Sequence, residues 1–292
     1  MADYVLFTDS SIDLSADMVR DAGIQVVPLS FTIQGETYHN YPDNRDMEPD
    51  LFYDKLRAGE IATTSSVNVG DYVEAMEPVL QEGKDILVLA FSSGLSATCS
   101  SAVVASEELR GNYPERKIFV VDSLCASMGQ GLLVWLAAQQ KKQGKTIEQV
   151  RDWAEEHKLN VCHYFTVNDL HYLKRGGRIS ATSAVVGSML QIKPVLYVDN
   201  EGKLVNIAKA RGRHASLKML VDKMEQTITD EGKDTVFISH GDCLEDARAL
   251  ASVIKERIGT QTIHINNVGP VIGAHTGPGV VALFYMGTGR RP

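Results

Sequence analysis

Short apolar runs alternate with amphipathic stretches along the first half of the chain, and this alternation constrains the fold more than any other feature. YVLFT (4–8), IQVVPLSFTI (24–33), DILVLAF (85–91) and KIFVVD (117–122) have the length and composition of strands. Between them lie segments with helix start and stop signals. Asp13 reads as the N-cap of a helix near 14–22 that stops at Gly23, and 48–59 as a helix closed by Gly59. Asn68 with Asp71 forms a capping box for a helix over 69–81, and Thr146 with Gln149 caps another that reaches about His157. Residues 95–110 are helix-like, and 128–142 place Met128, Leu132, Trp135 and Leu136 on one face. Strand and helix alternating in this order predict an α/β fold, a mostly parallel sheet with helices on both faces.

Past residue 158 the pattern changes. VCHYFTV (161–167) reads as a strand, LKRGGRIS (173–180) as a turn into a helix, and 192–210 as a hairpin around Asp199-Asn200-Glu201-Gly202. Helices near 213–229 and 244–258 flank the strand TVFISH (235–240), and QTIHINNV and VVALFYMG read as the last strands. A chain of 292 residues exceeds the usual domain of ~100–150 residues. Two domains are expected, 1–157 and 158–292, the second an α/β unit with a mixed sheet.

Charge and composition remove several function classes. No run approaches the ~18 apolar residues of a membrane span, and the acidic start MADYVLFTDS is unlike a secretory leader, so a cytoplasmic protein without membrane insertion is expected. Cys99, Cys125, Cys162 and Cys243 are far apart and form no C-x-x-C pair, which fits small buried hydrophobes better than disulfides or zinc. No H-x-x-x-H pair occurs, and no metal is expected. A net charge of −8 argues against general nucleic-acid binding. Within 170–214, however, Lys174, Arg175, Arg178, Lys193, Lys203, Lys209, Arg211 and Arg213 face only Asp199 and Glu201, a local excess of six positive charges.

Ligands of parallel α/β sheets bind beyond the carboxyl ends of the strands. Three strands end there on hydroxyls, at Asp9-Ser10-Ser11, Ser92-Ser93-Gly94 and Asp122-Ser123, and Thr63-Thr64-Ser65-Ser66 lies in the loop before the Asn68-capped helix. Gly94-Leu95-Ser96-Ala97-Thr98 imitates a nucleophile elbow, but the last glycine is replaced by Thr98. A serine hydrolase acting on acyl esters through Ser96, completed by an acid and His275, remains the alternative. Gly144-Lys145-Thr146 lacks the first glycine of a P-loop. What is left is a set of neutral donors suited to a singly charged anion such as a carboxylate. His275 is the one titratable group in a glycine-rich stretch that would let a ligand approach the backbone.

FTDSSIDL (7–14), TTSSVNVGDY (63–72), FSSGLSATCSSA (91–102), VDS (121–123), LKRGGRIS (173–180), QIKPVL (191–196), KARG (209–212) and VGPVIGAHTGPG (268–279) together resemble, in this order, the DegV family of bacterial fatty-acid-binding proteins. The resemblance implies two α/β domains with a long-chain fatty acid between them. It further implies a carboxylate held by Thr64, Ser65, Ser92, Ser93, Gly94, His275 and Thr276, with no cofactor besides the bound acid. The carrier itself is then not an enzyme. It presents the acid to a separate fatty acid kinase that makes acyl phosphate for phospholipid synthesis, and Arg175, Arg178, Arg211 and Arg213 are assigned to that partner or to the phosphate. A monomer is expected. The chain departs from the family pattern at Ser66, Val67, Asn68 and Ala97, which alters the shape of the head-group loop.

Overall fold

The computed structural model describes residues 3–180 and 191–292. Its first half runs β1 (Tyr4–Asp9), α1 (Ala16–Ala22), β2 (Ile24–Val27), β3 (Ser30–Ile33), β4 (Glu36–His39), α2 (Pro49–Arg57), β5 (Ala62–Ser65), α3 (Val69–Gln81), β6 (Asp85–Ala90), α4 (Thr98–Asn112), β7 (Ile118–Asp122), α5 (Met128–Lys142) and α6 (Ile147–His157). The second half runs β8 (Val161–Thr166), α7 (His171–Arg175), β9 (Ile192–Val198), β10 (Leu204–Arg211), α8 (Arg213–Thr227), β11 (Thr235–His240), α9 (Leu244–Ile258), β12 (Thr262–Asn267), α10 (Pro270–Thr276) and β13 (Val281–Met286).

Strands β2, β1, β6 and β7 form, in that order, a parallel sheet. Both of its faces are covered, which is why β6 is buried throughout and reads as a continuous apolar run. Leu6, Leu87, Leu89 and Val121 pack towards α5 and α6, while Phe7, Ile86, Val88 and Ile118 pack towards α3 and α4. A second sheet, β10-β9-β8-β13-β11-β12, is mixed, with β11 and β12 its parallel pair. Helices α8 and α9 cover one face through Leu220, Met224, Leu250 and Ile254. The other face meets α5, which touches β8, β11 and β13 as well as β6. Helix α5 thus lies between the two sheets, and Leu132, Leu133, Val134, Ala137 and Ala138 are all buried. The capping boxes of α3 and α6 form as their sequences require.

Four expectations need correction. Residues 24–33 are not one strand: Pro28, with no N–H to donate, breaks the run. Leu29 N–H bonds Ser10 Oγ at 2.9 Å, and β3 leaves for a separate antiparallel sheet, β4-β3-β5. The hydroxyl cluster at 63–66 is not a plain loop, because Thr63, Thr64 and Ser65 belong to β5, with Thr64 opposite Phe31. Asp13 does not cap α1; Ser15 does, through Met18 N–H. The glycines of 173–180 follow a helix, α7, and any helix after residue 180 lies outside the described residues. The glycine-rich stretch around His275 holds the short helix α10.

Asp13 is turned inward with φ 51°, and its carboxylate accepts from Ser127 Oγ at 2.5 Å and from Gly269 N–H at 2.9 Å. Burial pushes its pKa up to about 7 against the pull of those two bonds. One side chain so joins the loop after β1, the start of α5 and the start of α10.

The seating of α5 on β8 depends on Gly129. An alanine Cβ there would lie 2.1 Å from Nε2 of His163, whose ring is held by bonds to Ala126 N–H and Val161 O. Alanine gains ~1 kcal/mol of helix propensity over glycine, whereas overpacking a close-packed core costs ~1–3 kcal/mol. A contact this short against a pinned ring belongs at the upper end of that range. Gly129→Ala is therefore expected to lower the midpoint of thermal unfolding, and a raised midpoint would show slack between α5 and β8.

Candidate functional site

A cavity of about 410 Å³ opens beyond the carboxyl ends of the parallel strands, next to the start of α5. Its lining comes from both halves of the chain. Leu29, Thr64, Ser65, Ser66, Phe91, Leu95, Ser96, Ala97, Ala126 and Ser127 come from the first; Phe165, Arg178, Val198, Leu204, Val268, His275, Thr276 and Phe284 are among those from the second. The volume lies within the ~300–1,000 Å³ of small-molecule sites. Exposure divides the lining into two zones. Thr64, Ser65, Ser66, Ser96, Arg178 and His275 are exposed or half-buried and form a polar rim, while Phe91, Phe165, Val268, Val271, Val280, Ala282 and Phe284 are buried and form an apolar floor. Among the described residues no carboxylate side chain lines the cavity.

At the rim, His275 Nε2 and Thr64 Oγ1 are 2.8 Å apart, joining α10 to β5. Burial, reinforced by the charges of Arg178 and Arg175, pushes the imidazole down to about 4, so it is neutral at pH 7. Its Nδ1 is buried and has no partner among the described residues. A buried N–H without an acceptor is rarer and costlier than an unfilled lone pair, which places the single ring proton on Nε2. That proton is donated to Thr64 Oγ1, and the threonine's own O–H is left to point at a ligand. Gly176 permits this packing, since a Cβ there would lie 2.0 Å from Nδ1.

Arg178 supplies the rim's positive charge. Its Nε donates to Leu95 O at 3.1 Å and its Nη1 to Gly176 O, leaving Nη2 with no partner among the described residues. Thr276 also lines the cavity, although its hydroxyl donates to Ile272 O at 3.1 Å. Ser65 is exposed at the rim.

Ser92, Ser93 and Gly94 do not reach the cavity. Ser92 Oγ is buried, donates to Gly202 O at 2.9 Å and accepts from Gly94 N–H at 3.2 Å, pinning the β9–β10 turn. Ser93 is exposed, and its N–H bonds Asp122 Oδ1 at 3.2 Å. The hydroxyl of this segment that does line the cavity is Ser96. It pairs with Thr98, accepting from its N–H at 3.2 Å and sharing a hydrogen with Oγ1 at 2.9 Å. His275 is engaged with Thr64 instead, so no nucleophile–base pair forms.

The four arginines also separate. Arg178 belongs to the rim. Arg175 is exposed and lies over the Tyr172 ring at 4.8 Å, and Arg211 is exposed at the end of β10. Arg213 turns to α9, bonding Asp246 at 2.9 Å and Cys243 Sγ at 3.5 Å. Sequence reasoning singled out Arg178 for the partner or phosphate and Ser96 as the hydrolase nucleophile, and placed neither in the head-group set; it missed Ser127 and Ser239 on the floor. Nothing in the local sequence distinguishes those two, because each is brought in by the packing of separate elements.

Among the described residues no cluster of His, Cys, Asp or Glu could hold a metal ion, and no helix is long and apolar enough to cross a membrane. The family model described as "Uncharacterised protein, DegV family" matches residues 4–288. A DegV domain-containing protein of Clostridium perfringens is 48% identical over 292 residues, spanning 100% of both chains. The solved structure of a DegV family protein from Thermus thermophilus, described for its fatty acid binding, is 29% identical, with TM-score 0.88 over 98% of this chain and 100% of that one. DegV of Bacillus subtilis, described as a fatty acid binding protein, is 27% identical, with TM-score 0.83 over 98% and 100%. A match that runs nearly end to end, in sequence and in fold, makes this chain a member of the DegV family.

Proposed function

We propose that the protein binds a long-chain fatty acid, its tail in the apolar floor and its carboxylate at the rim, and presents it to a separate fatty acid kinase. The observation that carries this reading is the Thr64–His275 pair beside Arg178, at the polar mouth of a cavity whose deeper wall is mostly apolar. The relatives described as fatty acid binding proteins support it. In this reading residues 1–157 and 158–292 are two domains whose meeting forms the cavity, and the protein works in the cytoplasm.

Burying a chain of ~15 methylenes at ~0.8 kcal/mol each yields roughly 12 kcal/mol of gross driving force, reduced by the cost of ordering the ligand. Affinity therefore comes from the tail. The head group sets selectivity, because a buried carboxylate without partners loses several kcal/mol of hydration. Thr64 O–H and Arg178 Nη2 replace water for it. Ser65, Ser96 and Thr276 complete the polar surround, and the Ser92-Ser93-Gly94 turn acts only by holding the β9–β10 hairpin in place.

Neutral His275 polarises Thr64 but is not placed to take a proton from a substrate. The carrier thus supplies no catalytic base, and acyl phosphate formation falls to the kinase. Exposed Arg175 and Arg211, with Lys174 and Lys209, are the surface on which it would dock.

Two outcomes test this. Thr64→Val keeps the shape but leaves the His275 N–H and the carboxylate short of a partner, a loss of ~1–3 kcal/mol. Fatty-acid affinity, read by displacement of a fluorescent fatty acid, should fall roughly ten- to a hundredfold, with a melting temperature lowered only as far as the lost His275 bond requires, while Ser93→Ala should bind as the parent does. Equal affinities in all three proteins would remove the rim from carboxylate recognition. The second concerns the partner: Arg175→Glu combined with Arg211→Glu should slow acyl phosphate formation by about tenfold or more while bound lipid is retained. Loss of lipid in parallel would assign those residues to folding instead.

A further inference from the structure

Ser127 lies on the buried wall of the cavity with Phe165, Ala282 and Phe284, and no hydrogen bond links it to Thr64, His275 or Arg178 among the described residues. Its backbone has φ 52°, a left-handed value that serine rarely adopts and that persists only where the surroundings fix it. They do so through its side chain. Ser127 Oγ donates to Asp13 Oδ2 at 2.5 Å, and Ser239 Oγ lies 3.0 Å from Ser127 Oγ. A serine has one proton. Because that of Ser127 goes to Asp13, Ser239 must be the donor between the two serines, and Ser127 Oγ retains one unfilled lone pair.

None of its polar neighbours retains a free donor: the Ser239 proton goes to Ser127, although Ser239 Oγ keeps lone pairs of its own. His163 Nδ1 is 2.9 Å from Val161 O, and its Nε2 accepts from Ala126 N–H at 3.3 Å, which uses both ring nitrogens and that backbone donor. Burial keeps this imidazole neutral. The other oxygen of Asp13 accepts from Gly269 N–H. The floor therefore presents an acceptor without a donor, set among apolar side chains. A bare alkyl chain covers that acceptor and leaves it dry and unpaired.

We propose that Ser127 is a second recognition point, for a hydroxyl group carried along the acyl chain, so that one hydroxylated long-chain fatty acid binds in preference to the unsubstituted acid. This rests on the fatty-acid reading above. A ketone at the same carbon brings only lone pairs and meets the lone pair of Ser127, so the site separates hydroxyl from methylene and from ketone alike. Asp13 sets the polarity: while ionised, it keeps the serine proton turned away from the cavity. Asn in its place would accept from Gly269 N–H, donate its amide to Ser127 Oγ and release the serine proton towards the ligand, and asparagine tolerates φ 51° well.

The test uses the full chain stripped of lipid, at pH 8.5, where Asp13 is ionised. Octadecanoic acid, its positional hydroxy isomers and the matching keto acids compete against a fluorescent fatty acid. One isomer, or two adjacent ones, should bind about tenfold more tightly than octadecanoic acid, and the corresponding keto acid more weakly than it. In Asp13→Asn the keto acid should gain and the hydroxy preference shrink; in Ser127→Ala combined with Ser239→Ala, which removes both floor hydroxyls, the three ligands should converge. The inference is overturned if no isomer exceeds octadecanoic acid, or if a preference survives both substitutions unchanged. Should octadecanoic acid itself fail to displace the probe, the fatty-acid reading falls and takes this one with it. The comparison in the unsubstituted protein decides the matter even if one variant does not fold.

Discussion

Helix α5 is covered by the parallel sheet on one side and by β8, β11 and β13 on the other, and its start is closed by a carboxylate from a distant loop. No side chain caps α5 in the usual way, since Ser127 stands at the cap position with its hydroxyl turned to Asp13. The same carboxylate accepts from Gly269 N–H at the start of α10. An anion near two helix starts is favoured by the N–H groups and the aligned peptide dipoles there, and these oppose the desolvation that raises its pKa. The two halves of the chain are held in register at this point. Asn266 reinforces it by donating to Asp13 O at 2.8 Å.

The cavity follows from where α5 begins. Along its length Leu133, Val134 and Ala137 occupy the space between the two sheets. Just before its first turn, Ala126 and Ser127 become cavity lining, facing His163, Phe165, Ala282 and Phe284 from the same strands that the helix covers further on. The interlayer space that the helix fills is thus continued, beyond its end, by a volume with apolar walls. The rim is polar because β5, the 92–97 segment and α10 meet there, each bringing hydroxyls or His275 to the ends of the strands. This is the general position of ligand sites in parallel sheets, arrived at through two sheets that share one helix.

Much of the fold was legible because its signals are local. The Asn68–Asp71 and Thr146–Gln149 boxes, the buried run of β6 and the β9–β10 hairpin all depend on neighbours within a few residues. Thr64, Ser65, Thr276 and His275 are singled out by ordered motifs, and all four line the cavity. Asp13 was misread because a capping aspartate and an inward-turned one look alike in sequence; what separates them is Gly269, 256 residues away. The break at Pro28 and the strand β5 were missed for a similar reason, since pairing with a second small sheet compensates weak local signals. Ser92 and Ser96 carry the same chemistry four residues apart. Only the position of the β9–β10 turn decides that one supports the hairpin and the other faces the cavity.

Charge at the rim bears on how the proposed acid would be held. The protein as a whole carries −8, which would repel a fatty-acid anion at long range. Beyond a Debye length of ~8 Å that repulsion is screened, and inside it an anion entering the cavity would meet Arg178, with no carboxylate among the described lining residues. Arg178 and Arg175 also help to hold His275 neutral, so the rim does not accumulate a second buried cation. A charged imidazole beside Arg178 would bind the carboxylate as a tight, desolvated ion pair whose separation is costly. With His275 neutral, a carboxylate bound in the proposed mode would be held by one guanidinium and a polarised threonine hydroxyl, contacts that could be exchanged one at a time. In that proposal the residue that most resembles a catalytic group works by staying uncharged.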